Sequence, residues 1–480
     1  MKNITKYLGL LIVPVFCLSL CSCEERYDPN PSEADQVWVK NIKMVVNGKE
    51  IAGKINENKK EILFPKQPSN TKLSNISFKG DLPTGAKFSE SSYDFTPAEG
   101  DASTKKTIKI VNNKRFREYY VTINLSVPPT GADFAGAKRY NYALSGSVYP
   151  SFADVADSRA ADIDLQHVLI ASRSTPIHLL KLEDLKKGVI TRIDLNSTGL
   201  TGGTYARNAG RLVNGHAYVC NLTTGFATSP FKVYHWDTSS PDTPPTVVAE
   251  YIAANCAGDT PHNRYGDFMS IDLDENGNGY IFSQANSGSV ATSTTVLRIK
   301  VTNFTTTSNP TIITTTAPGW WATYNAVDGV KDLFLHSGNQ ASLKLVNEGG
   351  QTIYNVPTSA FGLQDGGGAY IVNFNKDRYL ITLNDLHGAG MIAVYNVSKG
   401  ATIQEALEIY VGGDVTARAP LITQSLGGAI PSGNNAVGIG WARKGDETLY
   451  ILGAAASAGF AILELSKATE KDPFDTFVED

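Results

Sequence analysis

Sulfur is scarce in this 480-residue chain, which has five cysteines and four methionines. Cys17, Cys21 and Cys23 fall at the very start, so only Cys220 and Cys256 remain for a folded body. Two cysteines make no disulfide framework. They either pair in an oxidising compartment or stand as two buried thiols, because sequence separation fixes no distance. No Cys-x-x-Cys pair and no metal-ligand cluster is present. The seven histidines form no His-Glu-x-x-His, and no serine sits in a Gly-x-Ser-x-Gly context. No cofactor signature is found, and none is expected. Lysine and arginine together number 43 against 47 acids, without a basic patch, which argues against nucleic acid as a partner. Long stretches with a helical apolar period are also few. Gly, Thr, Ser, Asn and Tyr are abundant instead, as in mostly β proteins.

The N-terminus is organised differently. Lys2 and Lys6 make a basic start, Tyr7 to Leu20 is a short apolar stretch, and Leu20-Cys21-Ser22-Cys23 follows. This is the layout of a cleaved secretory signal, too short for a membrane span. Leu20, Ser22 and Cys23 at −3, −1 and +1 resemble a bacterial lipoprotein lipobox. Cys21 fits less well, because Leu20 would then occupy the small-residue position. An ordinary signal peptide cut nearby is the alternative. The resemblance implies a lipidated Cys23 that anchors the protein to a membrane through several acyl chains and no spanning helix. Glu24 and Glu25 resemble the surface-export signal of Bacteroidetes lipoproteins, which implies an outer-membrane location facing the cell exterior. Residues 1–22 are read as signal and residues 23–36, acidic with two prolines, as a tether. Removing residues 1–22 takes Lys2 and Lys6 and no acid, leaving 41 bases against 47 acids, a net charge of −6.

From Val37 the pattern becomes β-rich. Val37–Val39, Ile42–Val46, Glu61–Phe64, Leu73–Phe78, Thr107–Val111 and Tyr119–Val127 read as short strands, with Asn47-Gly48 as a two-residue hairpin turn. These predict a small β-sandwich over 37–127. Trp38 is expected in its core. The closing stretch, Ile110-Val111-Asn112-Asn113 through Arg117 to Ile123, resembles the last hairpin of immunoglobulin-like modules in Bacteroidetes surface lipoproteins. Pro128-Pro129 marks a stiff break and the expected hinge.

The rest of the chain holds a divergent repeat. Similar strands open at His167, His216, Gly279, Asp332, Arg378 and Thr448. The last five follow a strand and a turn such as Val213-Asn214-Gly215 or Asp274-Glu275-Asn276-Gly277, and all six precede a further alternating strand. Three or more strands per unit at this period predict propeller blades. Six units predict a six-bladed propeller over 138–470, all-β like the module before it. The strand from Tyr140 to Tyr149 is left over and is expected to complete the last blade. Seven blades, with this strand in a degenerate one, is the alternative. Lipobox, immunoglobulin-like module and propeller together resemble an uncharacterised family of Bacteroidetes surface lipoproteins. That resemblance implies association with an outer-membrane importer.

The segment before each unit's first strand is expected at the mouth of the central channel. These segments are Asp157-Ser158-Arg159, Tyr205-Ala206-Arg207-Asn208, Arg264-Tyr265-Gly266-Asp267, Gly319-Trp320-Trp321, Gln364-Asp365 and Asn434-Asn435. Guanidinium forks bind carboxylates bidentately, and indole faces stack on sugars or side chains. Arg159, Arg207, Asn208, Arg264, Tyr265, Trp320, Trp321 and Asp365 are therefore the candidate ligand-binding residues. The competing reading pairs the arginines with Asp157, Asp267 and Asp365 across blades and uses the tryptophans to seal the sheets. Asp272, Asp274 and Asn276 have the opening spacing of a calcium loop. Position twelve is Ser283 rather than Glu, so a plain turn is the stronger reading. Asp385-Leu386-His387 reads as a loop hydrogen bond before an acid–base pair.

The combined expectation is a surface lipoprotein that binds or helps capture a glycan or oligopeptide for a TonB-dependent importer. A propeller glycan hydrolase or lyase and a non-binding scaffold subunit are the alternatives. No motif argues for catalysis.

Overall fold

The computed structural model describes residues 35–479, apart from 99, 127–128, 150–157, 224, 226–227, 257–263, 286–293, 316–321, 339–341, 358–359, 362–367, 385–389, 428–437 and 471. Cys23 and Pro128 thus lie outside the described residues. The chain divides into two compact units. One comprises the residues up to Pro128 together with Glu470–Asp480, and the other comprises Pro129–Thr469. Among the described residues no helix is long and apolar enough to cross a membrane.

The smaller unit contains two sheets. Lys40–Val46 lies between Lys49–Ala52 and Ser77–Asp81, and the second sheet centres on the long hairpin of Ser103–Asn112 with Arg115–Ser126. Burial alternates along Lys40–Val46, because one face meets the partner sheet and the other meets water. Met44, Phe64, Phe78, Ile108, Tyr119 and Val121 share one core between the sheets. The Asn47-Gly48 turn is as expected: both residues have positive φ, 50° and 78°, between paired Val46 and Lys49. Trp38 departs from expectation. Its indole is only partly buried, and Lys40 Nζ lies 5.1 Å from its ring. The residues after 470, which carry no strand or helix pattern of their own, return to this unit. Glu470 takes a Lys66 ion pair at 2.6 Å, Asp472 accepts Lys66 N at 2.9 Å, and Lys54 Nζ donates to Phe474 O at 2.8 Å.

The larger unit contains six antiparallel sheets among the described residues. The inner strands are, in order, Ser158–Ile163, Gly210–Val213, Ser270–Leu273, Thr323–Ala326, Ala369–Phe374 and Gly438–Lys444. The repeated strands of the sequence are the second strands, beginning at His167, His216, Gly279, Leu333, Asp377 and Thr448. Burial runs unbroken from Gly459 to Leu465 in the strand Gly459–Ser466, because both faces of a sheet meet neighbouring sheets. The leftover strand, Lys138–Ala143, pairs antiparallel with Gly459–Ser466 and becomes the fourth strand of the sixth sheet. Ser158–Ile163 packs against the inner strands of both the second and the sixth sheets. Cys220 and Cys256 are buried free thiols in one core. A helix at Ile403–Gly412, not foreseen from the sequence, joins the last two strands of the fifth sheet and buries Ile403, Ala406, Leu407 and Tyr410.

Each inner strand has one edge without a strand partner. Side chains of adjacent sheets satisfy it. Asp162 Oδ2 accepts Leu212 N at 3.0 Å, and Arg211 Nε donates to Met269 O at 3.0 Å. Ser270 Oγ accepts Tyr324 N at 2.9 Å, Asn325 Nδ2 donates to Ala369 O at 3.0 Å, and Asp328 Oδ2 accepts Asn373 N at 2.8 Å. Arg443, from the sixth sheet, donates to Asn373 O and pairs with Asp328 at 2.7 Å. Between the sixth sheet and the first, a Cβ added at Gly440 would lie 2.0 Å from Asp162 Oδ1, so this approach requires glycine.

The strand from the N-terminal side of the repeat is fastened by Glu464, whose side chain is 6% exposed. It accepts Lys138 Nζ at 2.8 Å, Lys186 Nζ at 3.2 Å and Tyr140 OH at 3.0 Å. Burial alone would raise its pKa, but these donors together hold it below the ordinary 4.5. Replacing Glu464 with alanine should cost about 1.5–3 kcal/mol, the range for hydrogen bonds to a charged group. Because the folded pKa is depressed, this contribution is present above the ordinary pKa and is lost as pH falls through the folded one. Thermal melts of wild type and Glu464→Ala should therefore differ at pH 7 and converge in acid. Equal melting temperatures at pH 7 would show that Glu464 does not fasten this strand.

Candidate functional site

The ends of the first three sheets bring together four arginines. Arg159 stands on the inner strand of the first sheet and is 4% exposed. Arg173 follows the second strand of that sheet. Arg207 precedes the inner strand of the second sheet, and Arg264 precedes that of the third. Asn208 is the buried hub, 1% exposed. Its Oδ1 accepts Arg173 Nε at 2.7 Å, and its Nδ2 donates to Gly266 O at 2.6 Å. Gly266 has φ +96°, and a Cβ there would lie 1.9 Å from Asn221 O, so only glycine brings this carbonyl to Asn208. Arg173 lies over Tyr205, with the guanidinium carbon 3.9 Å from the ring centroid, and Tyr205 is 37% exposed.

The arginines differ in compensation. Arg264 pairs with Asp267 through Nη2 at 2.7 Å and Nε at 3.1 Å, a local pair within one segment rather than a bridge between blades. Arg207 is partly buried and makes no ion pair or hydrogen bond through its guanidinium among the described residues. Burial lowers its pKa. Arg159 and Arg211 border a small pocket whose other walls include Gly210 and Met269, with a volume of about 10 Å³, enough for one water. Beneath it, burial pushes the Asp162 carboxyl up to about 6, against Arg211 and the amides of Leu212 and Ile163.

Of the expected mouth residues, Arg159, Arg207, Asn208 and Arg264 thus meet in one region. Tyr265 does not face it, because its ring is fully buried in the core between the second and third sheets, 6.2 Å from Phe231. Asn208 is a positioning group rather than a surface contact. Trp320, Trp321 and Asp365 lie outside the described residues, as do Asp157, Asn434, Asn435, Asp385 and His387. Arg173 and Tyr205 complete the cluster. Arg173 escapes the repeat pattern because it follows a second strand, whereas the expected mouth segments all precede first strands. Tyr205 lies in one of those segments beside the candidates.

The calcium-like loop is a turn. Asp274 Oδ1 accepts the amides of Asn276 and Asn278, each at 2.9 Å, and Asp272 is driven up to about 6 by burial and then by Asp274 and Asp328. Among the described residues no group of three or more His, Cys, Asp or Glu is placed to hold a metal ion.

Residues 29–468 match the family described as Domain of unknown function (DUF4623). A solved DUF4623 family protein from Bacteroides eggerthii DSM 20697 is 30% identical, with a TM-score of 0.76, over 91% of this chain and 100% of that one. The WD40 β-propeller domain of Doa1 is 11% identical, with a TM-score of 0.36, over 72% of this chain and 98% of that one. A quinonprotein alcohol dehydrogenase-like protein from Bacteroides thetaiotaomicron VPI-5482 is 12% identical, with a TM-score of 0.30, over 74% and 92%. The last two likenesses are too distant to carry an argument. No curated protein matches the chain.

Asn208→Ala should lower stability by about 1–3 kcal/mol, because it leaves the Gly266 carbonyl without its donor. Arg207→Ala should leave the melting temperature almost unchanged, since its guanidinium holds nothing in place. Thermal melts of the two variants check this, and a large loss in Arg207→Ala would make that residue structural.

Proposed function

We propose that this chain, which belongs to the DUF4623 family, is a lipid-anchored surface protein that binds a nutrient ligand at the arginine cluster. In this reading Cys23 carries the acyl chains and residues 23–36 form the tether. The N-terminal unit is an immunoglobulin-like module, and Pro129–Thr469 is a six-bladed propeller closed by Lys138–Ala143. Six sheets, each packed against the next, and the pairing of the earliest strand with Gly459–Ser466 support the blade count. A relative from Bacteroides supports the Bacteroidetes reading of Glu24 and Glu25.

The observation that carries the binding function is the convergence of Arg159, Arg173, Arg207 and Arg264 with exposed Tyr205 at one end of three sheets. Arg207, partly buried and without an ion pair among the described residues, has no structural role there to account for it. The cluster suits capture of a glycan or oligopeptide, delivered in turn to a TonB-dependent importer.

Two measurements test the reading. Cys23→Ala should abolish acyl labelling and release the protein from membranes, whereas continued labelling would move the anchor to Cys21 or remove it. A calorimetric screen of glycans and oligopeptides should find a ligand whose binding weakens by about 1.5–3 kcal/mol in Arg207→Ala. Absence of any ligand, with co-purification of an importer, would replace binding by a scaffold role.

A further inference from the structure

Resting on the reading of Cys23 as the anchor, we infer that one end of the smaller unit docks onto the membrane surface, a layer of phosphate-bearing lipid headgroups. The docking end is the turn joining Ser103–Asn112 to Arg115–Ser126, with Lys87 and Phe116 beside it. The chain enters the unit at this turn. Asn112 Nδ2 donates to Gln36 O at 3.0 Å, and Asn113 Nδ2 donates to Asp35 Oδ1 at 3.5 Å. The residues from Glu24 to Asp35 reach at most about 43 Å when fully extended, so an anchor at Cys23 holds this end near the lipid. The chain leaves the unit at the other end. The strand Arg115–Ser126 carries it about 35–40 Å from the turn. The acidic tail attaches at that far end, where Ser126 Oγ donates to Glu470 at 2.9 Å, and its acids meet Lys66 rather than the turn.

Charge selects the same partner. Residues 35–126 hold 16 lysines and arginines against 10 acids, a net +6, whereas residues 127–480 hold 24 against 33, a net −9. An anionic surface therefore attracts this part of the chain and repels the rest. Not every base at the turn is available. Lys109 Nζ lies 4.2 Å from the Phe116 ring centroid and pairs with Glu118 at 3.1 Å, so that pair adds no net charge. Lys87 and Lys114 are exposed and take part in no ion pair or side-chain hydrogen bond among the described residues. Lys87 stands opposite Val111, and Val111 opposite Phe116, so Lys87 and the 45% exposed Phe116 share one face of the sheet. Two uncompensated ammonium groups around a partly exposed aromatic ring suit the boundary between phosphate headgroups and acyl chains.

Vesicle binding tests this with residues 24–480 carrying a hexahistidine tag in place of Cys23 and held on a nickel-chelating lipid, an anchor that does not depend on acylation. Cys220 and Cys256 are buried, so a fluorophore can be placed selectively at Thr84→Cys or at Ser103→Cys. Thr84 is exposed at the turn end, where its carbonyl accepts Asn112 Nδ2 at 3.1 Å, and Ser103 is exposed at the far end, opposite Asn124. A nitroxide headgroup lipid should quench the Thr84 probe strongly and the Ser103 probe weakly in phosphatidylglycerol vesicles. Quenching should weaken in phosphatidylcholine and with added salt. In Lys87→Gln with Lys114→Gln the ratio of docked to undocked protein should fall about thirtyfold, because a lysine at an anionic surface contributes about fivefold. Melting curves confirm that the variant is folded. Equal quenching at the two positions, or quenching indifferent to lipid charge and to both lysines, would overturn the inference. So would quenching that appears only after Glu24, Glu25, Asp28 and Glu33 are changed to glutamine, since the acidic tether would then be what occupies the lysines. Acyl labelling of Cys23 in cells is a separate readout. Its absence, together with lysine-dependent docking here, would remove the anchor and keep the docking surface.

Discussion

An inner strand with one bare edge is the constraint on which the larger unit depends. A row of unpaired amides and carbonyls at a sheet edge invites pairing with another chain or must be satisfied from within. Here side chains of adjacent sheets answer it. Asp162, Ser270, Asn325 and Asp328 each reach to the inner strand of the next sheet in sequence, Arg211 reaches the Met269 carbonyl just before that of the third, and Arg443 reaches back from the sixth to the fifth. The same bonds that satisfy the edges also fix each sheet against its neighbour. Polar residues therefore stand where apolar packing alone would leave backbone groups orphaned, and Gly440 is small because Asp162 needs its space.

This constraint explains what the sequence revealed. Strands with two buried faces read as apolar runs, and their turns carry Asn-Gly or Asp-rich signals, so the second strands and hairpins were legible. Asn214-Gly215 takes φ 48° and 80°, the values a two-residue turn demands. The leftover strand was also legible, because a repeat with one strand too many at its start must place it somewhere. The fourth strands, such as Arg192–Asp194 and Ile422–Ser425, were not. They are short and half-exposed, and their pattern is set by a single neighbour.

Other misses had signals that were passed over. Thr402 and Glu405 form a capping pair, with Thr402 Oγ1 accepting Glu405 N at 3.1 Å and Glu405 reaching back to Ala401 N. That spacing precedes apolar residues at 403, 406, 407 and 410, a helical period readable in advance. The return of Glu470–Asp480 to the smaller unit had no such signal. Its contacts include bonds to Lys54, Asn56 and Lys66, more than four hundred residues away in the chain, and to Ser126, 344 residues away. No local pattern encodes them. Trp38 misled for the opposite reason, since a large aromatic in an alternating stretch usually faces inward.

The candidate site shows the limit of reasoning by register. Aligning the units located the region, because each inner strand begins at the same end of its sheet. It did not tell which side chains turn outward. Within two adjacent positions Arg207 stays without a partner while Asn208 is buried and bonded twice. In the next unit Arg264 is paired to Asp267 while Tyr265 is sealed in the core. Neighbouring residues on an extended segment point in opposite directions, so Asn208 and Tyr265 are buried while Arg207 and Arg264 are the more exposed of each pair. The bonds of Asn208 to Arg173 and to Gly266 then join the first sheet to the third through the second. The groups that hold the sheets together also set the position of the guanidinium beside Tyr205, so Arg173 cannot be moved without disturbing that packing.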